Sequence, residues 1–182
     1  MEMLDQNFIN LLKVMEILIP EYKIKRRVQK LAHEITEDHK NSGNMLPPVM
    51  ICVLNGSIHF FSDLTRAMKI DCEIDFIRLK SYDGQDNSGG IQVLKGLESE
   101  LKGRRAYIVD DICDTGTTIL EALFMCNSKL VQEVRVVTLL KRKDGIDMTD
   151  FCGFTIDKEW VAGYGLDDNG LKRNYTNIYN IK

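Results

Sequence analysis

The strongest constraint on the fold is the stretch of residues 106–120, which reads AYIVDDICDTGTTIL. Four apolar residues at its start predict a short buried strand, and two aspartates follow directly. The polar residues DTGTT then predict a turn, and the apolar run after them predicts a helix. Strand, loop and helix in this order are typical of an open α/β sheet, in which ligands bind at the carboxyl ends of the strands.

The residue types in this loop suit a phosphorylated sugar. Gly116 allows the backbone to approach a ligand closely, and N–H groups at the start of the helix can bind the oxygens of one phosphate. Three hydroxyls add further donors, those of Thr115, Thr117 and Thr118. Three carboxylates belong to Asp110, Asp111 and Asp114. Such carboxylates suit ribose hydroxyls, a magnesium ion, or a positive charge that develops on a sugar ring.

The same loop has a simpler interpretation when it is taken alone. An ordinary turn in which a threonine caps the following helix would show the same residues. A P-loop nucleotidase is not favoured, because no lysine follows Gly116.

Length and composition favour one α/β domain. The chain has 182 residues, of which 44% are apolar, and only three prolines, so no long linker is predicted. We expect a single domain over residues 1–182.

Charge and cysteine usage limit the possible partners and compartment. A formal net charge of −3 gives no basic footprint for nucleic acid. Charged residues interrupt the N-terminal apolar residues, which argues against a signal peptide, and no apolar run approaches the roughly 18 residues of a membrane span. Five cysteines lie scattered without CxxC spacing, which predicts reduced core residues. We therefore expect a cytoplasmic protein that binds neither nucleic acid nor membrane.

The remaining chain alternates between predicted helices and strands. Helical spacing of apolar residues begins at Ile24, and the basic residues of this helix, at positions 25–27, predict a solvated face. Continuous apolar runs predict buried strands at Val49–Leu54 and at residues 134–140. After Ser57, which fits either an anion-binding turn or a simple helix cap, a short helix is predicted. Its inward residues should be Ile58, Phe61, Leu64 and Met68.

A glycine-rich segment separates two further predicted strands, at residues 72–79 and 91–94. This segment fits a long hairpin or a lid that excludes water, with Ser81 and Tyr82 at its hinge. The helix after Thr118 is almost wholly apolar, which predicts burial beneath the sheet. Residues 149–182 predict short strands of a small lobe over the edge where the loops converge.

Six separate stretches, in this order along the chain, resemble the hypoxanthine-guanine phosphoribosyltransferases of the type I phosphoribosyltransferase family. They are LNGS at 54–57, RLKSY at 78–82, DDICDTGTT at 110–118, the basic cluster after Leu140, DFCGF at 150–154 and WVAGYGLDDNGLKR at 160–173. The resemblance extends from Ile19 to Tyr179. It implies an α/β fold with a mainly parallel twisted sheet and flanking helices. The implied core covers about residues 22–144, and a small hood lobe combines about residues 1–21 with 145–182.

The resemblance also implies a reaction. Members of this family transfer the 5-phosphoribosyl group from phosphoribosyl pyrophosphate to N9 of hypoxanthine or guanine, with Mg²⁺ as cofactor, and release pyrophosphate. The implied protein is a purine salvage enzyme with these small-molecule partners, and a homodimer or homotetramer. Two alternatives stay open, namely a phosphoribosyltransferase that prefers xanthine and a non-catalytic regulator that binds nucleotide or RNA on the same fold.

The resemblance assigns the donor side as follows. Asp110 and Asp111 hold the ribose hydroxyls, residues 115–118 (Thr115, Gly116, Thr117 and Thr118) bind the 5′-phosphate, and Asp114 is the general base beside N7 of the purine. Pyrophosphate contacts are implied for Leu54, Asn55, Gly56, Ser57 and Arg173. Magnesium ligands are implied for Asp167, Asp110 and Asp111.

On the purine side, Trp160 is implied to stack on the base and Val161 to offer backbone contacts. The sequence departs from the family pattern at two positions. Asn55 stands where the family often has a basic residue, so that charge is missing from the pyrophosphate loop. Arg142 stands where the lysine that binds the purine O6 usually falls, and Lys141 or Lys143 takes that position only after a shift of one residue.

Overall fold

The computed structural model describes residues 15–82 and 90–182, and within them two sheets and three helices. The strands are β1 (Met15–Ile19), β2 (Val49–Leu54), β3 (Glu73–Tyr82), β4 (Gly90–Lys95), β5 (Arg105–Cys113), β6 (Glu133–Arg142), β7 (Phe151–Ile156), β8 (Val161–Ala162) and β9 (Ile178–Ile181). The helices are α1 (Glu21–Asn41), α2 (Ile58–Ala67) and α3 (Thr117–Asn127). The predicted glycine-rich loop, and the side chains of its hinge residues Ser81 and Tyr82, lie outside the described residues.

The large sheet has the strand order β4-β3-β2-β5-β6-β7. All neighbouring pairs are parallel except β3 and β4, which form an antiparallel hairpin. The strands alternate their apolar side chains between two buried faces, as fully covered parallel strands do. Helices α1 and α2 pack on the face that includes Met50 and Cys52, and α3 packs on the face that includes Ile51. The predicted mainly parallel α/β fold is confirmed.

The small sheet has the order β1-β9-β8 and is antiparallel throughout. We call this sheet, together with the turns at residues 163–177, the hood. Its apolar residues Val161, Tyr164, Leu166 and Ile178 join the same core cluster as α1 and α2. The expected boundary of the core near residue 144 needs correction, because β7 pairs with β6 and extends the large sheet to Ile156.

Three details of the predicted helices were wrong. Ile58 is the first residue of α2 and its side chain is exposed to solvent. Phe60 is buried in its place. Helix α3 buries only one face, and Leu120 and Phe124 on the other face are exposed. In α1, Arg27 does not belong to a solvated face, since its guanidinium donates to the carbonyls of Cys152 and Gly153 and pairs with Glu34.

A buried ionic cluster closes the amino-terminal end of the large sheet. The side chain of Arg105, at the start of β5, is only 2% exposed. Its Nη2 lies 3.0 Å from Asp38 Oδ2 and 2.8 Å from Glu133 Oε2, and its Nη1 donates to the Asp38 carbonyl at 2.8 Å. The hydroxyl of Tyr107 donates to Asp38 Oδ2 at 2.7 Å. These contacts tie α1 to β5 and β6.

All five cysteines are free, and three of them are buried, in accordance with the prediction of reduced core residues. None of the helices in the described part of the chain combines the length and apolar character that a bilayer crossing demands.

Candidate active site

Two loops meet at the carboxyl ends of β2 and β5. These strands are parallel neighbours, so the turn after Leu54 and the loop after Cys113 emerge side by side. A cavity of about 310 Å³ lies between them, and we call it the main cleft. It is lined by Val53, Leu54, Gly56, Leu79, residues 110–119, Asp167 and Arg173.

An acidic pair forms the floor of the main cleft. The Asp110 carboxylate accepts the N–H of Asp111 at 2.9 Å, and the Asp111 carboxylate accepts the N–H of Ile112 at 2.8 Å. Burial raises the pKa of both carboxyls, and the neighbouring negative charge of Asp111 raises the pKa of Asp110 further. Arg173 acts in the opposite direction on the pKa of Asp111. Such a pair favours a cation or hydroxyl donors in the cleft.

Two glycines allow close packing of the chain around this pair. A Cβ on Gly56 would lie 1.6 Å from Asp111 Oδ2, and a Cβ on Gly165 would lie 1.9 Å from the Gly56 carbonyl oxygen. Only glycine therefore fits at either position, and the hood rests directly on the turn after β2. Gly165 is not among the residues predicted for the site, although it stands in a GYG triplet whose glycines both have positive φ angles.

The turn after β2 contributes to the main cleft more through its backbone than through its polar side chains. Its Leu54–Asn55 peptide is cis, and Leu54 and Gly56 line the main cleft. Ser57 is fully buried, and its hydroxyl donates to the Val53 carbonyl at 2.6 Å instead of capping α2. Asn55 is exposed and, like Ser57, does not line the main cleft. The structure thus brings two of these four predicted residues to the site.

The loop after β5 ends at the amino terminus of α3. Gly116 has a φ of +77° and precedes the first helical residue, Thr117. No side chain caps this helix, which contradicts the simpler interpretation of the loop as a threonine-capped turn. The hydroxyls of Thr115 and Thr117 lie 3.0 Å apart. The N–H groups of the first turn of α3 are left for an anion.

A second cavity of about 460 Å³ adjoins the main cleft, and we call it the side cleft. Its walls are Asp111, Ile112, Asp114, Arg142, Trp160, Val161, Leu166, Asp167 and Asn169. Trp160 is the only tryptophan, and it is 61% exposed, which is unusual for so large an apolar ring. Asn169 and Leu166 were not identified from the sequence.

Among the three basic residues after Leu140, only Arg142 lines the side cleft. Its Nη1 donates to the carbonyls of Asp157 at 2.8 Å and Glu159 at 2.7 Å, and its Nε lies 3.7 Å from Asp114 Oδ2. Lys141 and Lys143 line neither cleft. Lys141 pairs instead with Asp147 at 2.5 Å.

Two hood residues that line the main cleft, Asp167 and Arg173, are bonded to each other and to the hood backbone. Arg173 Nη2 lies 2.6 Å from Asp167 Oδ1, and Arg173 Nη1 donates to the Gly165 carbonyl at 2.6 Å. The other oxygen of Asp167 accepts the N–H of Gly170 at 2.7 Å. The predicted residues Asp167 and Arg173 are therefore brought to Asp110 and Asp111 as a fixed unit.

The carboxylates of the cleft offer oxygen ligands of the kind that Mg²⁺ prefers. No group of three or more His, Cys, Asp or Glu side chains in residues 15–82 and 90–182 could hold a metal ion by itself. Mg²⁺ commonly uses one or two carboxylates and completes its shell with water and substrate phosphates. The buried acidic pair, with its raised pKa values, fits such a shared site.

Comparisons with known proteins agree with this geometry. Residues 18–169 match the family model of the phosphoribosyl transferase domain. The hypoxanthine-guanine-xanthine phosphoribosyltransferase of Tritrichomonas foetus is 33% identical over 87% of this chain and 86% of its own length. The hypoxanthine phosphoribosyltransferase of Escherichia coli K12 is 33% identical over 84% of this chain and 86% of its own.

A solved structure supports the same relationship. The hypoxanthine phosphoribosyltransferase of Staphylococcus aureus aligns with a TM-score of 0.84 and 30% identity, over 99% of this chain and 97% of that one. The chain therefore belongs to the phosphoribosyl transferase family, in the group of the hypoxanthine phosphoribosyltransferases.

Proposed function

We propose that this chain transfers the 5-phosphoribosyl group from phosphoribosyl pyrophosphate to N9 of hypoxanthine, and of guanine, in purine salvage. The observation that carries the proposal is the arrangement of the two clefts. They share Asp111, Ile112, Asp114 and Asp167. A phosphorylated sugar in the main cleft and a base in the side cleft would therefore meet at these residues.

The main cleft suits the sugar donor. Asp110 and Asp111 accept the ribose hydroxyls, and the N–H groups and hydroxyls of residues 115–118 bind the 5′-phosphate. The backbone of Leu54 and Gly56, with the guanidinium of Arg173, receives the pyrophosphate. Arg173 supplies the positive charge that Asn55 does not, because its guanidinium lies in the wall of this cleft.

The side cleft suits a flat base with a 6-oxo group. The exposed ring of Trp160 offers a stacking surface, and Val161 offers backbone groups to the purine edge. We assign the O6 contact to Arg142 in preference to Lys141 or Lys143, since Arg142 alone of the three lines the side cleft. Because Nη1 of Arg142 already donates to two backbone carbonyls, we expect Nη2 to donate to the purine O6.

Residues Asp110, Asp111 and Asp167 would hold Mg²⁺ together with the donor. When bound, Mg²⁺ neutralises the departing pyrophosphate and so favours its loss from C1 of the ribose. The carboxylates of the acidic pair stabilise the positive charge that develops on the sugar ring. Asp114 accepts a proton at N7 of the purine while N9 attacks C1, and the nearby Arg142 keeps the Asp114 carboxylate oriented.

The direct test is an ultraviolet assay of the full chain with phosphoribosyl pyrophosphate and Mg²⁺. Hypoxanthine, guanine, xanthine and adenine are offered in separate reactions. We expect turnover of hypoxanthine and guanine that stops when a chelator is added. Xanthine is included because the Tritrichomonas relative carries it in its name. Donor binding without turnover of any base would contradict the proposal and favour a non-catalytic regulator.

The same assay tests the stacking role of Trp160. Base stacking on an aromatic side chain contributes roughly 1–3 kcal/mol, so Trp160→Ala should raise the KM for hypoxanthine about tenfold or more. The KM for phosphoribosyl pyrophosphate should hardly change, because Trp160 does not line the main cleft. Trp160→Phe is the matched control and should keep most of the affinity. Equal changes in both KM values would count against stacking.

Asp110→Asn should stabilise the fold while it weakens donor binding. Burial and the charge of Asp111 raise the pKa of Asp110 in the native state, so the native state binds more protons than the unfolded state above the ordinary pKa of an aspartate. Stability therefore falls as the pH rises through this range. The neutral amide removes that cost, and we expect a gain of about 1 kcal/mol at about pH 8.

Urea unfolding at about pH 5 and about pH 8 measures the difference in free energy of unfolding between Asp110→Asn and the original chain. The variant should gain more stability at the higher pH. Asp71→Asn, at an exposed position far from both clefts, serves as the control. An Asp110→Asn variant that is less stable than the original chain at about pH 8 would refute the expectation.

A further inference from the structure

The connection between β6 and β7 is unusual for parallel neighbours, because residues 143–150 contain no helix. Because β7 runs parallel to β6, this segment must run back beside the sheet before β7 begins. On its way it crosses the loop that follows β5. We call residues 143–150 the crossover.

The crossover contacts the loop after β5 at three positions. The N–H of Ile146 donates to the Asp114 carbonyl at 3.1 Å, and the thiol of Cys113 donates to the Ile146 carbonyl at 3.0 Å. Met148 packs against Gly116 so closely that a Cβ there would lie 2.8 Å from its sulfur. The crossover therefore packs directly against the residues proposed to bind the phosphate.

One ion pair fastens the crossover to the sheet at this place. Lys141 Nζ lies 2.5 Å from Asp147 Oδ2, and Lys141 stands directly opposite Cys113 in the β5–β6 register. The other oxygen of Asp147 accepts the Thr149 hydroxyl at 2.8 Å and the Thr149 N–H at 3.1 Å. These bonds, that of Lys141 foremost, lower the pKa of Asp147 to about 2, so the pair stays ionised at neutral pH.

The far end of the crossover is anchored independently. The Asp150 carboxylate accepts the N–H of Val136 at 2.7 Å and lies 2.8 Å from Arg135 Nη1. The Asp150 N–H donates to the Val136 carbonyl. Loss of the Lys141–Asp147 pair would therefore loosen the crossover beside the loop without detaching β7.

We propose that Lys141 and Asp147 are positioning residues for the phosphate-binding loop. Their ion pair holds the crossover against Cys113, Asp114 and Gly116 and thereby fixes the direction of the N–H groups that receive the 5′-phosphate. Lys141 is one of the residues predicted from the sequence for the purine contact, and the ion pair with Asp147 gives it a different role. This proposal rests on the proposed function in taking phosphoribosyl pyrophosphate as the donor. A binding site whose groups are not held in place loses affinity even though every group remains present.

The test compares two substitutions of graded severity. Asp147→Ala removes the ion pair and both bonds to Thr149, and it should raise the KM for phosphoribosyl pyrophosphate about tenfold. Asp147→Asn keeps an oxygen that can accept the bonds from Thr149. It should raise the KM for phosphoribosyl pyrophosphate about threefold, because a partly exposed ion pair contributes little binding energy. The KM for hypoxanthine and the midpoint of thermal unfolding should stay close to those of the original chain.

Two controls separate positioning from charge and from general loss of structure. Lys182→Met breaks an exposed pair with Glu16 in the small sheet and should change neither KM. The exchanged pair, Lys141→Asp together with Asp147→Lys, restores the ionic contact but not the bonds to Thr149, and should recover part of the donor affinity that Asp147→Ala loses. An unchanged donor KM in Asp147→Ala would overturn the proposal. So would a parallel change of both KM values with a lower unfolding midpoint.

Direct binding keeps this test independent of turnover. Calorimetric titration with ribose 5-phosphate should show weaker binding to Asp147→Ala than to the original chain. If no purine is converted, the proposed function has failed, and this titration still decides the role of the ion pair. Equal affinities of the two proteins for ribose 5-phosphate would refute it.

Discussion

Replacement of Asp114 by asparagine is expected to lower kcat by about two to four orders of magnitude, the usual contribution of a positioned general base. The amide has almost the same shape, so the loop should keep its bonds to Ile146, which involve only the backbone of Asp114. An amide cannot take up the proton from N7 of the purine. The KM for phosphoribosyl pyrophosphate should stay within about threefold of its original value, because the loss falls on the transition state.

Steady-state kinetics with hypoxanthine as acceptor measures both constants. Asp71→Asn makes the same chemical change at an exposed position and should leave kcat unaltered. A donor KM that rises as steeply as kcat falls would show that Asp114 binds the donor and does not act as a base. A kcat within about threefold of the original would remove Asp114 from the mechanism altogether.

Arg105→Met is expected to lower the free energy of unfolding by about 3 kcal/mol. The substitution keeps most of the apolar volume but removes the buried one of the two cations that Asp38 and Glu133 share, and breaking a buried pair on one side typically costs 3–5 kcal/mol. Both carboxylates keep some contact with solvent and with Arg135, which places the expectation at the low end of that range.

The midpoint of urea unfolding gives the size of this loss, provided that the slope of the transition is unchanged. Lys40→Met removes an exposed ion pair with Glu37 on the same helix and should cost less than about 1 kcal/mol. Catalysis per folded molecule should be preserved, since Arg105 lies at the opposite end of β5 from the clefts. A cost below about 1 kcal/mol for Arg105→Met would mean that the cluster adds little to stability.

The sequence predicted the parts of the fold that depend on local pattern. The apolar run Val49–Leu54 is a strand with those same ends, and the acidic pair with its glycine-containing loop lies at the carboxyl end of β5. Each of these elements carries its own signal, because burial on both faces demands a continuous apolar run and an anion-binding turn demands glycine and small polar residues.

The predictions that were wrong concern residues whose burial or strand pairing depends on a segment distant in the sequence. Phe124 is apolar, yet it is exposed, because nothing in the described chain packs on that side of α3. The segment Phe151–Ile156 is a short apolar run like the strands of the hood, and only its pairing with β6 assigns it to the large sheet. The sequence left Arg142, Lys141 and Lys143 open for the purine O6 contact, and the ion pair of Lys141 with Asp147, which bears on that choice, is not revealed by any local pattern.

The pairing of β1 with β9 bears on the order in which the protein is assembled. Met15 lies opposite Ile181, so this pair joins segments that are almost as far apart in the chain as any two can be. During synthesis, β5, which holds the acidic pair, leaves the ribosome well before β9 does, and contacts of such long range form late. The acidic pair can thus be in place before the hood is assembled, whereas both clefts take part of their walls from the hood, through Asp167, and are complete only after β9 has paired.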